Sequence, residues 1–210
     1  MLRWGAGLLL LLLGASLLGW GLTRPHPKSA APLPSHEFVV APGSTPTTKA
    51  ASHQVLAGGS CADSAGSWHV VIPSLCINAP MTQTGSSGGS VVIPTAVSEV
   101  AWYNQSAGFS SPSGNTVIVG HVDSYSQGPG ALSRLSRIQP GAVVIARGDG
   151  GQGRWLVTSL RVYPKAALPQ DIFTTTGARQ LVLVTCGGPI EHIDGIATYA
   201  DNVVVTAVPV

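Results

Sequence analysis

The chain has 210 residues, enough for one domain of ordinary size with short appendages. Its 26 glycines and 16 prolines, with only 10% charged residues, indicate turns and β-structure rather than long helices. The net charge is +2, and from Ser67 onward seven Lys or Arg residues balance seven Asp or Glu residues. A domain with no basic stripe for a phosphate backbone argues against a nucleic-acid partner.

Residues 1–24 have the composition of a membrane segment. Arg3 precedes a long uncharged apolar stretch, and Arg24 closes it. As a helix this stretch would be about 30 Å long, which is enough to cross a bilayer core. The small residues 29–31 offer a cleavage site, but Pro32 follows them and disfavours cleavage. We therefore expect an uncleaved transmembrane anchor rather than a signal peptide, and in both cases the folded part is exported.

Residues 25–66 are rich in Pro, Ala, Ser and Thr and have no sustained hydrophobic periodicity. Such a composition cannot bury a core and predicts an extended, disordered spacer. A spacer would let a membrane-anchored domain reach into a cell wall, and a plain linker is the simpler alternative. The folded domain is then expected over residues 67–210.

Within that domain, short β-branched runs recur between turn signals. Residues 131–138 predict one or two helical turns, and GDGGQG at 148–153 predicts a hairpin. Seven or eight strands without alternating helices predict a mainly β fold, a closed or nearly closed barrel. The predicted strands are 68–73, 90–94, 115–121, 141–146, 154–163, 180–186 and 201–208.

The three cysteines have different surroundings. Cys186 ends the apolar run LVLVTC and is followed by Gly187 and Gly188, which would let a substrate backbone approach the sulfur. Outside the cytosol, Cys61 and Cys76 could form a disulfide worth about 3 kcal/mol, leaving Cys186 as the odd thiol. Three unpaired thiols are the alternative. No Cys-x-x-Cys or His-x-x-x-His spacing occurs, so neither a zinc site nor another cofactor is predicted.

His121 is the predicted partner of Cys186. A cysteine attacks as the thiolate, and a free cysteine has a pKa of about 8.5, so a nucleophilic thiol needs a base. His121 ends the run TVIVGH directly after a glycine, so both reactive side chains end buried strands. We expect both at one barrel mouth, although a lone histidine at a strand end is more often a surface residue. Asp123 is either a group that orients His121 or a solvated turn carboxylate.

Several segments resemble those of the class E/F sortases of Gram-positive actinobacteria. TVIVGHVDS, LVLVTCGGP and YADNVVVTA carry the resemblance, with VVIPSLCINAPM and VVIPTAVSEVAWY near the start of the domain. The likeness covers most of residues 68–210, and its most specific part is Leu-x-Thr-Cys with an upstream Gly-His. The resemblance implies an eight-stranded barrel with short helical turns, behind a transmembrane helix and a spacer.

The resemblance also implies a reaction. Cys186 would attack a backbone carbonyl in a Leu-Pro-x-Thr-Gly-like sorting signal of a surface protein and form a thioacyl intermediate. An amine of a peptidoglycan precursor, or another amine acceptor, would then take the acyl group. His121 would act as general acid and base. The enzyme would be a single-pass protein of the cell membrane with an extracellular catalytic domain.

One position departs from the family pattern. The family's oxyanion-stabilising arginine belongs to a Tyr-Arg-Asp-Asn-Val motif, and Ala200 stands in its place here. An active transpeptidase and a catalytically impaired domain that binds surface proteins or wall therefore both remain open. A structural barrel with an incidental Cys186 is disfavoured, because the His and Cys motifs both match. The arginines considered as substitutes, without a ranking, are Arg154, Arg161 and Arg179.

Overall fold

The computed structural model describes residues 30–31, 33–41, 66–148, 150–193 and 196–210. The expected anchor, residues 1–24, lies outside this part of the chain, as does Cys61. No helix in the described part is long and apolar enough to span a bilayer. The strands are β1 (Ala30–Ala31), β2 (Phe38–Val39), β3 (His69–Ile72), β4 (Ile77–Thr84), β5 (Ser86–Ser87), β6 (Ser90–Val91), β7 (Val100–Tyr103), β8 (Asn115–Gly120), β9 (Asp123–Ser124), β10 (Gly128–Pro129), β11 (Val143–Gly148), β12 (Gly151–Pro164), β13 (Gln180–Ile193) and β14 (Ile196–Pro209).

Eight of the described strands close into a barrel, in the order β13, β14, β12, β11, β3, β4, β7 and β8. Parallel pairing of β8 with β13 completes the ring. The predicted mainly β, closed barrel is confirmed. The described helical segments are short 3₁₀ turns at Pro73–Leu75, Leu135–Arg137, Lys165–Ala167 and Gln170–Phe173. The second of these falls inside the run 131–138, where helical turns were predicted.

The two strands that close the barrel are buried on both faces. Leu181 and Leu183 of β13 face the main core inside the barrel, while Val182 and Val184 face a second cluster on the other side. Strand β8 alternates in the same way, and all six of its residues are buried. Burial on both faces explains why these runs are continuously apolar instead of alternating. The second cluster is covered by Tyr163, Leu168, Ile172 and Phe173.

The sequence patterns did not predict the strands between residues 77 and 103 correctly. The predicted strand 90–94 is wrong, because only Ser90–Val91 is extended, in a two-residue ladder outside the barrel. Two barrel strands, β4 and β7, were not predicted. Strand β4 alternates buried and exposed residues, but Pro80 and its polar positions hide that pattern. Its pairing with β3 and β7 decides that this stretch is extended.

Part of the predicted spacer is paired with the barrel. Strand β1 pairs with Gly188 and Pro189 of β13, and β2 pairs with β12. The N–H of Val162 donates a hydrogen bond to the Glu37 carboxylate at 2.9 Å, and Phe38 packs against the main core. Residues 30–31 and 33–41 are therefore not an unpaired spacer in this structure.

Candidate active site

Strands β8 and β13 bring the two predicted catalytic residues to the same end of the barrel. The strands run parallel, with Val119 beside Val184 at the last paired position. His121 is the first residue after β8, and Cys186 lies two positions beyond Val184. Because parallel neighbours advance together, both residues lie just past the point where the two strands separate. The register places both residues at one end of the barrel. The predicted end of the strand at Cys186 is wrong, because β13 continues to Ile193 by pairing with β14.

The alternation of side chains puts them on the same face of the sheet. Val119 and Val184 both face the second cluster, and side chains repeat every two residues along a strand. His121 and Cys186 both line a cavity of about 670 Å³ at this end of the barrel. Cys186 is a free, half-buried thiol, whereas Cys76 is disulfide-bonded. The expected partner of Cys76, Cys61, is outside the described residues, so that pairing stays a prediction.

Thr185 joins strand β13 to strand β8 by a hydrogen bond directly before Cys186 and His121. Its hydroxyl donates a hydrogen bond to the Gly120 carbonyl at 2.8 Å, and its side chain is only 3% exposed. The bond joins the residue before Cys186 to the residue before His121. A buried hydrogen bond of this kind contributes about 1 kcal/mol. The Thr of the Leu-x-Thr-Cys signature thus has a structural reason that sequence reasoning did not provide.

His121 is oriented by a backbone carbonyl and not by a carboxylate. Its Nε2 atom lies 2.8 Å from the Pro94 carbonyl oxygen. A carbonyl oxygen only accepts, so Nε2 carries the proton and Nδ1 is left to exchange a proton with substrate or thiol. No feature of the sequence around Pro94 signalled this contact.

Asp123 does not orient His121. Both of its carboxylate oxygens lie 2.8 Å from the hydroxyl of Tyr199, which donates to them. Burial raises the pKa of Tyr199 well above its ordinary value, and the hydrogen bond to Asp123 and the negative charges of Asp123 and Cys186 add to the shift. Tyr199 is therefore a neutral phenol that joins the segment after His121 to strand β14.

Gly188, the second glycine after Cys186, has a structural role that the sequence did not indicate. It is buried and has a positive φ of 80°. A Cβ added at Gly188 would collide with the carboxylate of Asp201, so the missing side chain makes room for Asp201. The approach of a substrate backbone over Gly187 and Gly188 stays a prediction.

The position of Ala200 follows from the pairing of β13 with β14. Asn202 is paired with Cys186, and Ala200 lies opposite the irregularity between Gly187 and Ile190. Neither Ala200 nor Asn202 lines the cavity, whereas the neighbouring residue Tyr199 does. Position 200 is therefore near the nucleophile along the β13–β14 ladder, at the point where the pairing of the two strands is irregular.

The arginines considered as substitutes for that position do not line the cavity. Arg179 donates to the Phe109 carbonyl at 2.7 Å and stacks 4.6 Å from the Trp155 ring centroid, at the opposite end of β13. Arg154 and Arg161 are exposed on β12, outside the cavity wall. Arg134, Arg137 and Lys165 line it instead. Sequence reasoning missed all three. The two arginines lie in ALSRLSRI, which indicated only helical turns, and nothing near Lys165 signalled a site.

The described residues hold no group of three or more His, Cys, Asp or Glu side chains placed to bind a metal ion. The chemical groups that meet at the cavity are a free thiol, an imidazole with one fixed nitrogen and several cations. Such a set suits covalent acyl transfer, with the thiol as nucleophile and the imidazole as acid and base.

Comparison with known proteins gives one family. Residues 70–210 match the model of the sortase domain. No curated protein matches the chain significantly.

Three solved structures are similar in fold. Sortase C2 of Group B Streptococcus pilus island 1 is 16% identical, with a TM-score of 0.51 over 68% of this chain and 73% of that one. Sortase A of Listeria monocytogenes is 12% identical, with a TM-score of 0.50 over 70% and 88%. Sortase C1 of Streptococcus suis is 14% identical, with a TM-score of 0.50 over 68% and 72%. At these identities the structural likeness concerns the fold alone.

Proposed function

This chain belongs to the sortase family, and we propose that it is a cysteine transpeptidase that cleaves a Leu-Pro-x-Thr-Gly-like sorting signal and attaches surface proteins to the cell wall. The observation that carries the proposal is the position of Cys186 and His121, which both lie just past the last paired residues of β8 and β13 and line one cavity. The domain would act outside the cell, held at the membrane by residues 1–24.

In the first half of the reaction, His121 takes the thiol proton of Cys186 at Nδ1, and the resulting thiolate attacks the scissile carbonyl carbon and forms a C–S bond. The peptide C–N bond then breaks, and His121 gives a proton from Nδ1 to the departing amine. The product on the enzyme is a thioester. The Pro94 carbonyl supports this step, because it holds Nε2 and so directs Nδ1 to the reacting groups.

In the second half, an amine attacks the thioester carbon and loses a proton to His121. A new amide bond forms, the C–S bond breaks, and the thiolate of Cys186 is restored. The hydrogen bond from the Thr185 hydroxyl to the Gly120 carbonyl supports both halves of the reaction, because it fixes β13 against β8 next to the reacting residues.

Ala200 favours a second candidate, a sortase-like domain with weak or no turnover that binds surface proteins or wall. The family arginine is absent, and none of Arg154, Arg161 and Arg179 lines the cavity. Losing one preorganised oxyanion donor typically lowers the rate by about 10²–10³. We propose a slow transpeptidase, and the measured rate separates it from a binding domain.

The test is cleavage of a fluorogenic sorting-signal peptide by the full-length chain, with intact mass spectrometry to detect the thioacyl adduct. We expect Cys186→Ala to abolish the adduct and cleavage, and His121→Gln to lower the rate by about 10²–10⁴. His192→Gln is the matched control, because His192 is exposed and outside the cavity wall. Cleavage by Cys186→Ala, or equal rates for the two histidine variants, would contradict the proposal.

A further inference from the structure

The cavity at Cys186 concentrates positive charge. Arg134, Arg137 and Lys165 line it, and Asp123 is its one carboxylate among the described lining residues. The domain from Ser67 onward has seven cationic and seven anionic residues, so this accumulation is local. A concave site with an excess of one sign raises the local concentration of ligands of the opposite sign.

Most of the cationic donors are not used within the protein. Lys165 Nζ donates to the Thr198 hydroxyl at 2.7 Å, and Arg134 Nη1 donates to the Leu75 carbonyl at 3.2 Å. The guanidinium of Arg137 forms no hydrogen bond or ion pair with any residue that the structure describes. Each guanidinium has five N–H donors in a fork that fits a carboxylate. The two arginines therefore offer unoccupied donors to the cavity that the nucleophile lines.

The segment that carries Arg134 and Arg137 begins beside His121, because the N–H of Leu132 donates a hydrogen bond to the His121 carbonyl at 3.1 Å. Both arginines line the same cavity as His121. In the proposed reaction His121 protonates the departing amine and deprotonates the incoming one. A group bound by these arginines is then attached to an amine rather than to the acyl part.

We propose that the acyl acceptor is an amine whose own molecule carries a free carboxylate, and that Arg134 and Arg137 bind this carboxylate while the amine attacks the thioester. This inference rests on the proposed transpeptidase function and names its acceptor class. The carboxylate itself is unchanged in the reaction, since its role is to place the amine.

The test is competition between glycylglycine and glycylglycinamide, which differ at the carboxylate. The full-length chain receives one neutral sorting-signal peptide and both acceptors, and mass spectrometry gives the product ratio. We expect the ratio of glycylglycine product to glycylglycinamide product to be at least about tenfold higher for the wild type than for the Arg134→Gln/Arg137→Gln variant. The variant loses the charged hydrogen bonds to the carboxylate. The preference should shrink in high salt, since these guanidiniums are exposed.

Arg154→Gln is the matched control, because Arg154 is an exposed arginine outside the cavity wall, and it should keep the wild-type ratio. An unchanged ratio in the double variant would overturn the proposal. An equal loss with both acceptors would also overturn it, because the arginines would then act on the oxyanion. A preference for Glu over Gln in the sorting signal, with no preference between the two acceptors, would also overturn the proposal. The arginines would then bind a carboxylate of the sorting signal and not one of the acceptor.

A binding measurement keeps the inference testable without turnover. Full-length Cys186→Ala is titrated with each dipeptide by saturation-transfer NMR, with and without Arg137→Gln. Stronger binding of glycylglycine that depends on Arg137 supports the inference, and equal binding of both dipeptides overturns it. Absence of a thioacyl adduct in the wild type contradicts the proposed function alone, so the two failures are distinguishable.

Discussion

Two hydrogen bonds to backbone carbonyls position Cys186 and His121. The Thr185–Gly120 bond joins β13 to β8 directly before the two residues, and the Pro94 carbonyl fixes Nε2 of the imidazole. Neither contact is made with an acidic residue, and Asp123 is bound by Tyr199 instead. The tautomer of His121 thus follows from a contact with the backbone and not from a carboxylate neighbour.

The three cysteines should differ in reactivity toward a thiol reagent. Cys186 is free and half-buried, whereas Cys76 is disulfide-bonded. Denatured, non-reduced protein should gain one label in intact-mass measurements, and reduced protein should gain three. Cys186→Ala should gain none before reduction. Three labels without reductant would contradict the expected Cys61–Cys76 bond.

Ala200→Arg should raise the rate of sorting-signal cleavage by up to about 10²–10³, because it restores the arginine of the Tyr-Arg-Asp-Asn-Val pattern two residues before Asn202, the residue paired with Cys186. Steady-state cleavage of the fluorogenic peptide measures the gain. Ala200→Gln supplies length without the positive charge and should gain less. Equal rates for wild type and Ala200→Arg would mean that another group already stabilises the oxyanion.

Strands β13 and β14 continue as a hairpin beyond the catalytic end of the barrel, with Ile190 paired to Tyr199. The Tyr199–Asp123 hydrogen bond attaches this hairpin to the segment that follows His121. Gly188, with its positive φ and the Asp201 carboxylate against it, gives the hairpin its irregular start. The cavity wall that this hairpin forms is therefore held both by the β13–β14 pairing and by the Tyr199–Asp123 hydrogen bond.

The Tyr199–Asp123 contact predicts a pH dependence of stability. Its phenol has a raised pKa in the folded state, whereas an unfolded tyrosine ionises near pH 10. Its contribution to the free energy of unfolding is fully present below about pH 10 and is lost as the pH rises through the folded pKa. Chemical unfolding should show Tyr199→Phe about 1.5–3 kcal/mol less stable at pH 8, with a smaller difference at pH 11.

Tyr125→Phe is the control, because Tyr125 is 60% exposed, and it should match the wild type at both pH values. A Tyr199→Phe difference that is constant from pH 8 to pH 11 would contradict the linkage.

The whole molecule combines a closed barrel with an N-terminal segment that returns to it. Strands β1 and β2 contact β13 and β12, and β1 lies against the residues that follow Cys186. A chain anchored by residues 1–24 would thus have the catalytic end of its barrel attached to the segment that leads from the membrane.

The full-length chain should stay in the membrane pellet after alkaline carbonate extraction, and a chain without residues 1–24 should be soluble. The physical reason is the long apolar stretch, whose transfer to water is unfavourable. Protease added to intact cells should degrade the barrel domain if it is extracellular. Loss of about the first 30 residues by intact mass would contradict an anchor and indicate a cleaved signal peptide.

Local sequence pattern was enough to predict a mainly β barrel and the apolar runs that lead to His121 and Cys186, but not that β13 continues past Cys186 to Ile193. Apolar runs bounded by glycine determine where such strands begin and end, because both effects act over a few neighbouring residues. The pattern failed at 90–94 and at strand β4, where partners remote in sequence determine whether the chain pairs. The Pro94 contact of His121 and the presence of Arg134 and Arg137 on the cavity that Cys186 lines also arise only from the tertiary structure. These contacts join residues far apart in the chain, and the periodicity of neighbouring residues carries no information about which distant segments will be in contact.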